Sequence, residues 1–285
     1  MIRLVSVIGH GINLIPNFVN HYSKYVDEIQ LVVYQSAIHP TLINDVKEKV
    51  KSYENVKIVK TIEDRVFDWE KVTQLYNFIK SKNPHDWWVI ADIDEFHLYP
   101  NDNLLQCIVD CENNGWRIMR GGFIDRIGVD GEFSELNEDL NIFEQFPNMG
   151  FFRYPMSEAC PNKICVTKGN TEITPGQHYA KIYGQTTWRW QGWNHPLIAP
   201  YKEYNVIVNH FKWDSTCGER IRAVANTNRH NAYSEEYRKM YKELGKRKFK
   251  IDLNDPEFMF EDTEGRSEFK AYKNWNKLIN KIISI

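Results

Sequence analysis

The chain has 285 residues, of which 42% are apolar, 26% charged and 14% aromatic. This composition excludes a disordered or collagen-like chain and is typical of a globular protein large enough to bury a core. With 36 Lys and Arg against 38 Asp and Glu, the formal charge is −2, so no concentrated basic surface points to nucleic acid as a partner. No apolar stretch is long enough to cross a bilayer, and the five cysteines form no CxxC pair. We therefore expect reduced thiols and a cytoplasmic location.

The first third of the chain alternates between strand and helix periodicities. Apolar, strand-like segments occur at residues 3–9, 28–34, 56–59 and 87–91, with amphipathic helical patterns between them. This alternation predicts an α/β fold with a doubly wound, mostly parallel sheet, whose ligands bind at the carboxyl ends of the strands. Beyond residue 121 the pattern becomes mixed, and from residue 216 it is helical. We expect one catalytic domain over residues 1–220 and a helical C-terminal extension over residues 221–285 packed on it.

A group of acidic residues, Asp92-Ile-Asp-Glu95, follows the fourth predicted strand directly. In an extended segment alternate side chains point the same way, so Asp92 and Asp94 would converge on one cation while Ile93 turns into the core. Paired carboxylates suit Mg²⁺ or Mn²⁺, which can bind a diphosphate and neutralise the charge that develops as it leaves. A solvated acidic turn is the simpler alternative. The apolar strand before the group favours the functional interpretation.

The segment Trp87-Trp-Val-Ile-Ala-Asp-Ile-Asp-Glu-Phe96 resembles the DxDEF metal-binding segment of GT-A-fold glycosyltransferases, especially the family 2-like and family 92-like groups. Four further segments follow the order found in that family: Leu4–Gly9, Phe18–Tyr22, Gln74–Asn77 and Asn209–Ser215. The resemblance covers roughly residues 1–220. It implies a Rossmann-like GT-A fold, a nucleotide-diphosphate sugar as donor, and a hydroxyl on a glycan or related molecule as acceptor.

The resemblance also implies a histidine late in the domain as a further metal ligand. His210, after the apolar run at residues 205–208, is the best positional match. An imidazole beside Asp92 and Asp94 would favour Mn²⁺ over Mg²⁺. His178 is the alternative ligand, and it could instead contact a phosphate or the acceptor.

Inverting members of this family use a carboxylate as general base to take the proton of the attacking hydroxyl. Asp125 is the first candidate, because it lies in a glycine-flanked segment beyond the acidic motif. A structural ion pair between Asp125 and Arg126 is an equally good interpretation. Asp214 and Glu95 are the alternative bases, and an enzyme that retains configuration would need none.

The residues expected to contact the donor follow the predicted strands or carry positive charge. They are Gly9, His10, Asp64, Arg65, Ile93 and Lys163. Acceptor contacts are expected from Arg126, His178, Trp188 and Trp190, since indole rings can stack on the apolar face of a sugar. For each of these residues a structural role remains the alternative.

Residues 269–285 form a basic amphipathic pattern, which predicts either a helix docked on its own domain or peripheral contact with an anionic membrane. A haloacid-dehalogenase-like phosphatase is disfavoured, because its Asp-x-Asp follows the first strand. A sugar nucleotidylyltransferase is disfavoured, because Gly9-His-Gly-Ile-Asn13 lacks the glycine- and arginine-containing opening loop. The remaining alternative is a non-catalytic carbohydrate-binding protein on the same scaffold.

Overall fold

A computed structural model describes residues 1–157, 159–160, 162–182, 185–186, 195–226, 232–255 and 258. Trp188, Trp190 and the predicted helix at residues 269–285 lie outside the described residues. The strands are β1 Ile2–Ile8, β2 Glu28–Gln35, β3 Val56–Glu63, β4 Trp87–Ile90, β5 Glu95–Leu98, β6 Ile118–Ile127, β7 Asn148–Gly150, β8 Asn162–Lys168, β9 Glu172–Ile173, β10 Ala180–Ile182, β11 Gln185–Thr186 and β12 Val206–His210. The helices are α1 Ile15–Tyr22, α2 Leu42–Val50, α3 Trp69–Ser81, α4 Leu104–Asn114, α5 Ile142–Gln145, α6 Arg153–Ser157, α7 Tyr201–Tyr204, α8 Cys217–Ala225 and α9 Ala232–Lys246.

The main sheet has the strand order β3-β2-β1-β4-β8-β6-β12-β5. Its first four strands are parallel, and they are the four strands that the hydrophobic pattern predicts. Strand β8 is antiparallel to both of its neighbours, β4 and β6, so the sheet is mixed beyond β4. The α/β class with a mostly parallel, Rossmann-like sheet is therefore confirmed.

Strand β1 is apolar on both faces, and both faces are buried. Val5 and Val7 on one face of β1 pack in a buried cluster with Tyr76 of α3. Leu4 and Ile8, which alternate with them and point to the opposite face, are also fully buried. A strand buried on both faces reads as a continuous apolar run, which is what the sequence of β1 shows.

A glycine in β6 allows a close approach of backbones inside the sheet. A Cβ atom at Gly121 would lie 2.1 Å from the carbonyl oxygen of Val206 in β12. Any side chain at this position would push the two strands apart. The close approach of the two strands therefore explains the glycine at position 121 without any role in ligand binding.

The chain divides into two compact units, each built from two separate segments. Unit 1 comprises Met1–Gly122 and Asn162–Val208, and unit 2 comprises Phe123–Pro161 and Asn209–Ile285. The second unit has its own apolar core, to which α8 and α9 contribute: Ile127, Phe152, Met156, Trp213, Cys217, Ile221, Met240, Leu244, Ile251 and Phe258. The predicted boundary after residue 220 divides the chain into two continuous segments, and it remains a prediction. Within the described part of the chain, no helix combines the length and the apolar character needed to cross a bilayer.

Candidate functional site

Three loops of unit 1 leave the carboxyl ends of parallel strands and therefore lie along one edge of the sheet. Gly9 follows β1, Asp64 follows β3, and Asp92 follows β4 after a single residue. In the sheet order, β2 and β3 extend to one side of β1, while β4 lies on the other side. The strand order thus reverses between β1 and β4, and a reversal of this kind opens a ligand-binding crevice at the carboxyl edge.

The predicted donor-binding residues after β1 and β3 are linked by an aromatic side chain. The Phe67 ring packs against Gly9, where an added Cβ would come within 2.3 Å of it, and against the ring of Tyr34 with a centroid distance of 4.9 Å. The Tyr34 hydroxyl donates to Asp64 Oδ2 at 3.0 Å. Asp64 also accepts a hydrogen bond from Lys71, which, together with those from Tyr34 and the Arg65 backbone, lowers the pKa of Asp64 to about 2. Asp64 is therefore an ionised acceptor next to the Gly9 loop.

Asp92–Glu95, called here the acidic turn, does not adopt the extended conformation that the sequence analysis assumed. The Glu95 amide donates to the Asp92 carbonyl at 3.0 Å, so the segment reverses direction before β5 begins. Ile93 is buried as expected, and its side chain lies against Gly11. Alternation along an extended segment therefore does not bring Asp92 and Asp94 together, and their convergence on one cation remains a prediction.

Two buried tyrosines hold the ends of the acidic turn. The Tyr76 hydroxyl in α3 donates to Asp92 Oδ1 at 2.7 Å and accepts from the Val7 amide at 3.1 Å. The Tyr22 hydroxyl in α1 donates to the Glu95 carbonyl at 2.8 Å and accepts from the His97 amide at 3.0 Å. Helices on the sheet thus fix the turn by one phenol at each end.

Lys163 in β8 supplies the positive charge of the acidic turn. Its Nζ lies 2.6 Å from Glu95 Oε1 and 3.2 Å from Asp92 Oδ2, and the side chain is 2% exposed. Burial, together with the neighbouring Asp92 and Asp94, raises the pKa of Glu95 to about 8 against the opposing effect of Lys163. Burial alone would lower the pKa of Lys163, but Asp92 and Glu95 outweigh it and raise that pKa. Lys163 therefore remains an ammonium ion.

The carboxylates of the acidic turn do not fit a divalent cation as they stand. Asp92 and Glu95 already share the Lys163 ammonium, and a cation between them would meet that charge at contact distance. Among the described residues, no group of three or more His, Cys, Asp or Glu side chains is arranged to hold a metal ion. The prediction that Asp92, Asp94 and His210 bind Mn²⁺ or Mg²⁺ is therefore not supported by the local geometry, and we route no step through a metal.

Asp125 and His210 both belong to unit 2 and contact each other there. Asp125 Oδ1 accepts from His210 Nδ1 and from Trp213 Nε1, each at 2.8 Å. Asp125 Oδ2 accepts from the backbone amides of Phe152 at 2.8 Å and Arg153 at 3.1 Å. Burial alone would raise the pKa of Asp125, but the hydrogen bonds from His210 and Trp213 and from the backbone outweigh it and lower that pKa. The predicted base is thus a buried carboxylate that four donors already satisfy.

Arg126 does not pair with Asp125, because neighbouring residues of a strand point to opposite faces. Its guanidinium donates to Asn209 Oδ1 at 2.8 Å and to the Pro147 carbonyl at 3.0 Å, and burial lowers its pKa to about 10. The equally weighted interpretation of a structural Asp–Arg pair is therefore wrong. In unit 1, His178 Nδ1 lies 2.7 Å from the Asn162 carbonyl, next to Lys163 in sequence.

Several residues that shape these clusters escaped sequence analysis. Tyr22 and Tyr76 belong to helical apolar stripes, which gave no sign that their hydroxyls reach the acidic turn. Trp213, to which the sequence analysis gave no individual role, donates a hydrogen bond to Asp125. Lys163 was expected to neutralise phosphates, whereas it neutralises carboxylates. The contact of Lys163 with the acidic turn could have been predicted only from the pairing of β8 with β4, which the sequence alone does not reveal.

Comparison with protein-family profiles gives no match, and no curated protein matches the chain in sequence. Among solved structures, the chain is similar to one from Bacillus anthracis described as a glucose-1-phosphate thymidylyltransferase in complex with a sucrose. The identity is 11% and the TM-score 0.33, over 82% of this chain and 99% of that one. A likeness at this level carries no argument about the reaction or the substrate of this protein.

Proposed function

We propose that the protein is a glycosyltransferase that moves a sugar from a nucleotide-diphosphate donor to a hydroxyl of a glycan or related acceptor. The observation that carries this proposal is the meeting of three loops at the point where the strand order reverses. Gly9 and the acidic turn flank that point, and Phe67 joins Gly9 to Asp64. Doubly wound sheets bind nucleotides in such a crevice.

Each of the three loops has a role in holding the donor. Gly9 and His10 provide a backbone that the nucleotide can approach closely, because Gly9 has no side chain. Asp64 is ionised and partly exposed, so it can accept a hydrogen bond from a ribose hydroxyl, and Arg65 beside it can contact the base or a phosphate. Asp92 keeps 23% of its side chain exposed, and can thereby accept a hydrogen bond from a sugar hydroxyl.

In the transfer, the bond between the anomeric carbon and the diphosphate oxygen breaks, and the acceptor oxygen forms a new bond to that carbon. The acceptor hydroxyl proton must go to a base. Asp125 remains the predicted base, but its two oxygens accept four hydrogen bonds in the structure, so we propose no proton transfer through it. Acceptor contacts by Arg126, His178, Trp188 and Trp190, and membrane contact by residues 269–285, remain predictions.

Donor binding is the first test of this proposal. Melting temperatures would be measured with UDP-, GDP-, dTDP- and CMP-sugars, the last of which lack a diphosphate. A ligand at a hundred times its dissociation constant stabilises the folded state by about 2.7 kcal/mol, so one diphosphate sugar should produce a clear shift. Arg65→Ala should reduce the shift, and Asp130→Asn, at an exposed position of unit 2, should not. No shift with any diphosphate sugar would contradict the proposal and favour a non-catalytic carbohydrate-binding protein.

Turnover is the second test. Release of the nucleoside diphosphate would be followed with the stabilising donor and a panel of glycan acceptors. Asp92→Asn removes the charge that faces the crevice and should abolish release while leaving the far-ultraviolet circular dichroism unchanged. Glu70→Gln, at an exposed position in the first turn of α3, is the matched control and should release the diphosphate at the normal rate. An Asp92→Asn variant with full turnover would exclude the acidic turn from the reaction.

A further inference from the structure

Lys163 occupies its position because of the strand register. Strands β8 and β4 are antiparallel, with Trp87 opposite Lys168, Trp88 opposite Thr167 and Val89 opposite Val166. Lys163 precedes Val166 by three residues and Asp92 follows Val89 by three residues, so this antiparallel pairing places both at the carboxyl end of β4. The contact is therefore built into the sheet and does not depend on the choice of a flexible surface side chain.

The surroundings of Lys163 hold its ammonium against the acidic turn. The side chain is 2% exposed, so bulk water does not screen its contacts with Asp92 and Glu95. Tyr76 fixes Asp92, and Tyr22 fixes the backbone at Glu95, so the carboxylates cannot easily turn away. A fixed cation thus lies between two fixed carboxyl groups.

We infer that Lys163 is the resident cation of the acidic turn and takes the place that a divalent metal would occupy between Asp92 and Glu95. The turn of the unmodified protein therefore does not take up Mn²⁺. Without the ammonium, the same carboxylates would be close together and uncompensated, an arrangement that attracts hard divalent cations. This inference concerns the binding of the metal alone and does not require that a sugar be transferred.

The test is Mn²⁺ binding to the full chain, followed by the electron paramagnetic resonance signal of free Mn²⁺. The unmodified protein should leave the signal unchanged at millimolar Mn²⁺. Lys163→Met retains the length of the side chain without its charge and should gain one site per chain, seen as a stoichiometric loss of the free Mn²⁺ signal. Adding Asp92→Asn to that variant should abolish the gained site. Lys168→Met, which removes a lysine of the same strand that pairs with Glu112, should behave as the unmodified protein.

Two results would overturn the inference. One is a stoichiometric Mn²⁺ site in the unmodified protein that Asp92→Asn removes. The other is a folded Lys163→Met variant that gains no site. If Lys163→Met does not fold, the double variant Lys163→Gln with Glu95→Gln replaces it, because removing one charge of each sign leaves no unpaired buried charge. Mn²⁺ binding to the unmodified protein, with and without Asp92→Asn, tests the inference in either case.

A consequence follows for the proposed function and rests on it. If donors bind at the carboxyl edge, the melting shift that they produce should be the same in EDTA and in Mn²⁺. A shift that needs Mn²⁺ would contradict the role of Lys163 and leave the transferase proposal standing. The absence of any donor shift would contradict the transferase proposal, while Mn²⁺ binding would still decide the role of Lys163.

Discussion

Glu95 in unit 1 and Asp125 in unit 2 are both 2% exposed, yet their pKa values shift in opposite directions. Asp125 accepts four hydrogen bonds from donors that carry no negative charge. Glu95 accepts from the Lys163 ammonium and from one amide at 3.2 Å, with Asp92 and Asp94 close by. Burial penalises both carboxylates, so the count of donors and the sign of the neighbouring charges decide the outcome.

This difference separates a carboxylate that organises a core from one that belongs to a charged edge. Asp125 joins β6 to the segment before α6 and to the indole of Trp213, all within unit 2. Glu95 lies at the end of a turn whose first residue, Asp92, remains partly exposed. The comparison therefore favours a structural role for Asp125 and a ligand-facing role for the carboxylates of the acidic turn, and both roles remain predictions.

The largest effect should come from Asp125→Asn. The new amide nitrogen would face either the backbone amides of Phe152 and Arg153 or the side-chain donors of His210 and Trp213, and each pairing sets donor against donor. Breaking such a buried charged network costs about 3 to 5 kcal/mol. Urea unfolding would measure the loss, with Asp130→Asn as the exposed control. A loss below that of an ordinary surface substitution would mean that Asp125 is free for another role, including that of the base.

Lys163→Met should cost less, about 2 kcal/mol at pH 7, although it too removes one partner of a buried pair. The reason is that Glu95, whose pKa is already raised, can take up a proton and avoid carrying an unpaired charge. Glu95→Gln in the Lys163→Met background should recover most of the loss, and a double-mutant cycle would measure the coupling. Equal losses in the single and double variants would show that Glu95 and Lys163 do not depend on each other.

The two carboxylates should respond oppositely to pH. The folded-state pKa of Glu95 lies above its ordinary 4.5, so its contribution to stability is present below pH 4.5 and is lost as pH rises toward about 8. The folded-state pKa of Asp125 lies below its ordinary 3.8, so its contribution is present above that value and is lost as pH falls further. Urea unfolding across this range should show a decline toward alkaline pH that Glu95→Gln removes. An unchanged slope in Glu95→Gln would assign the decline to another group.

Sequence analysis predicted the fold of unit 1 well because its signals are local. The apolar run of β1 and the helical stripe of α3 each follow from neighbouring residues, and the parallel pairing of the first four strands follows from their alternation with helices. The acidic residues after β4 were also found in this way. What the local pattern could not show is the turn at Asp92, because the same residues are compatible with an extended segment.

The partners of the site residues could not be predicted because they are distant in sequence. Lys163 lies 71 residues from Asp92 and reaches it through the register of β8. His210 lies 85 residues from Asp125, and its contact depends on β6 and β12. A pattern of residue types predicts which side chains can do chemistry, whereas their pairing is decided by strand order and register.

The smallest effect should separate the two tyrosines that hold the acidic turn. Tyr22→Phe leaves the His97 amide and the Glu95 carbonyl without their hydroxyl partner, and Tyr76→Phe does the same to the Val7 amide and the partly exposed Asp92, so each should lower the free energy of unfolding by about 1 kcal/mol. The Tyr76 hydroxyl bonds the side chain of Asp92, which lies at the proposed donor site, whereas the Tyr22 hydroxyl bonds only backbone atoms. Tyr76→Phe should therefore also weaken the donor-induced melting shift, and Tyr22→Phe should leave it unchanged. If both variants weakened the shift equally, donor binding would depend on the rigidity of the whole turn and not on the orientation of Asp92.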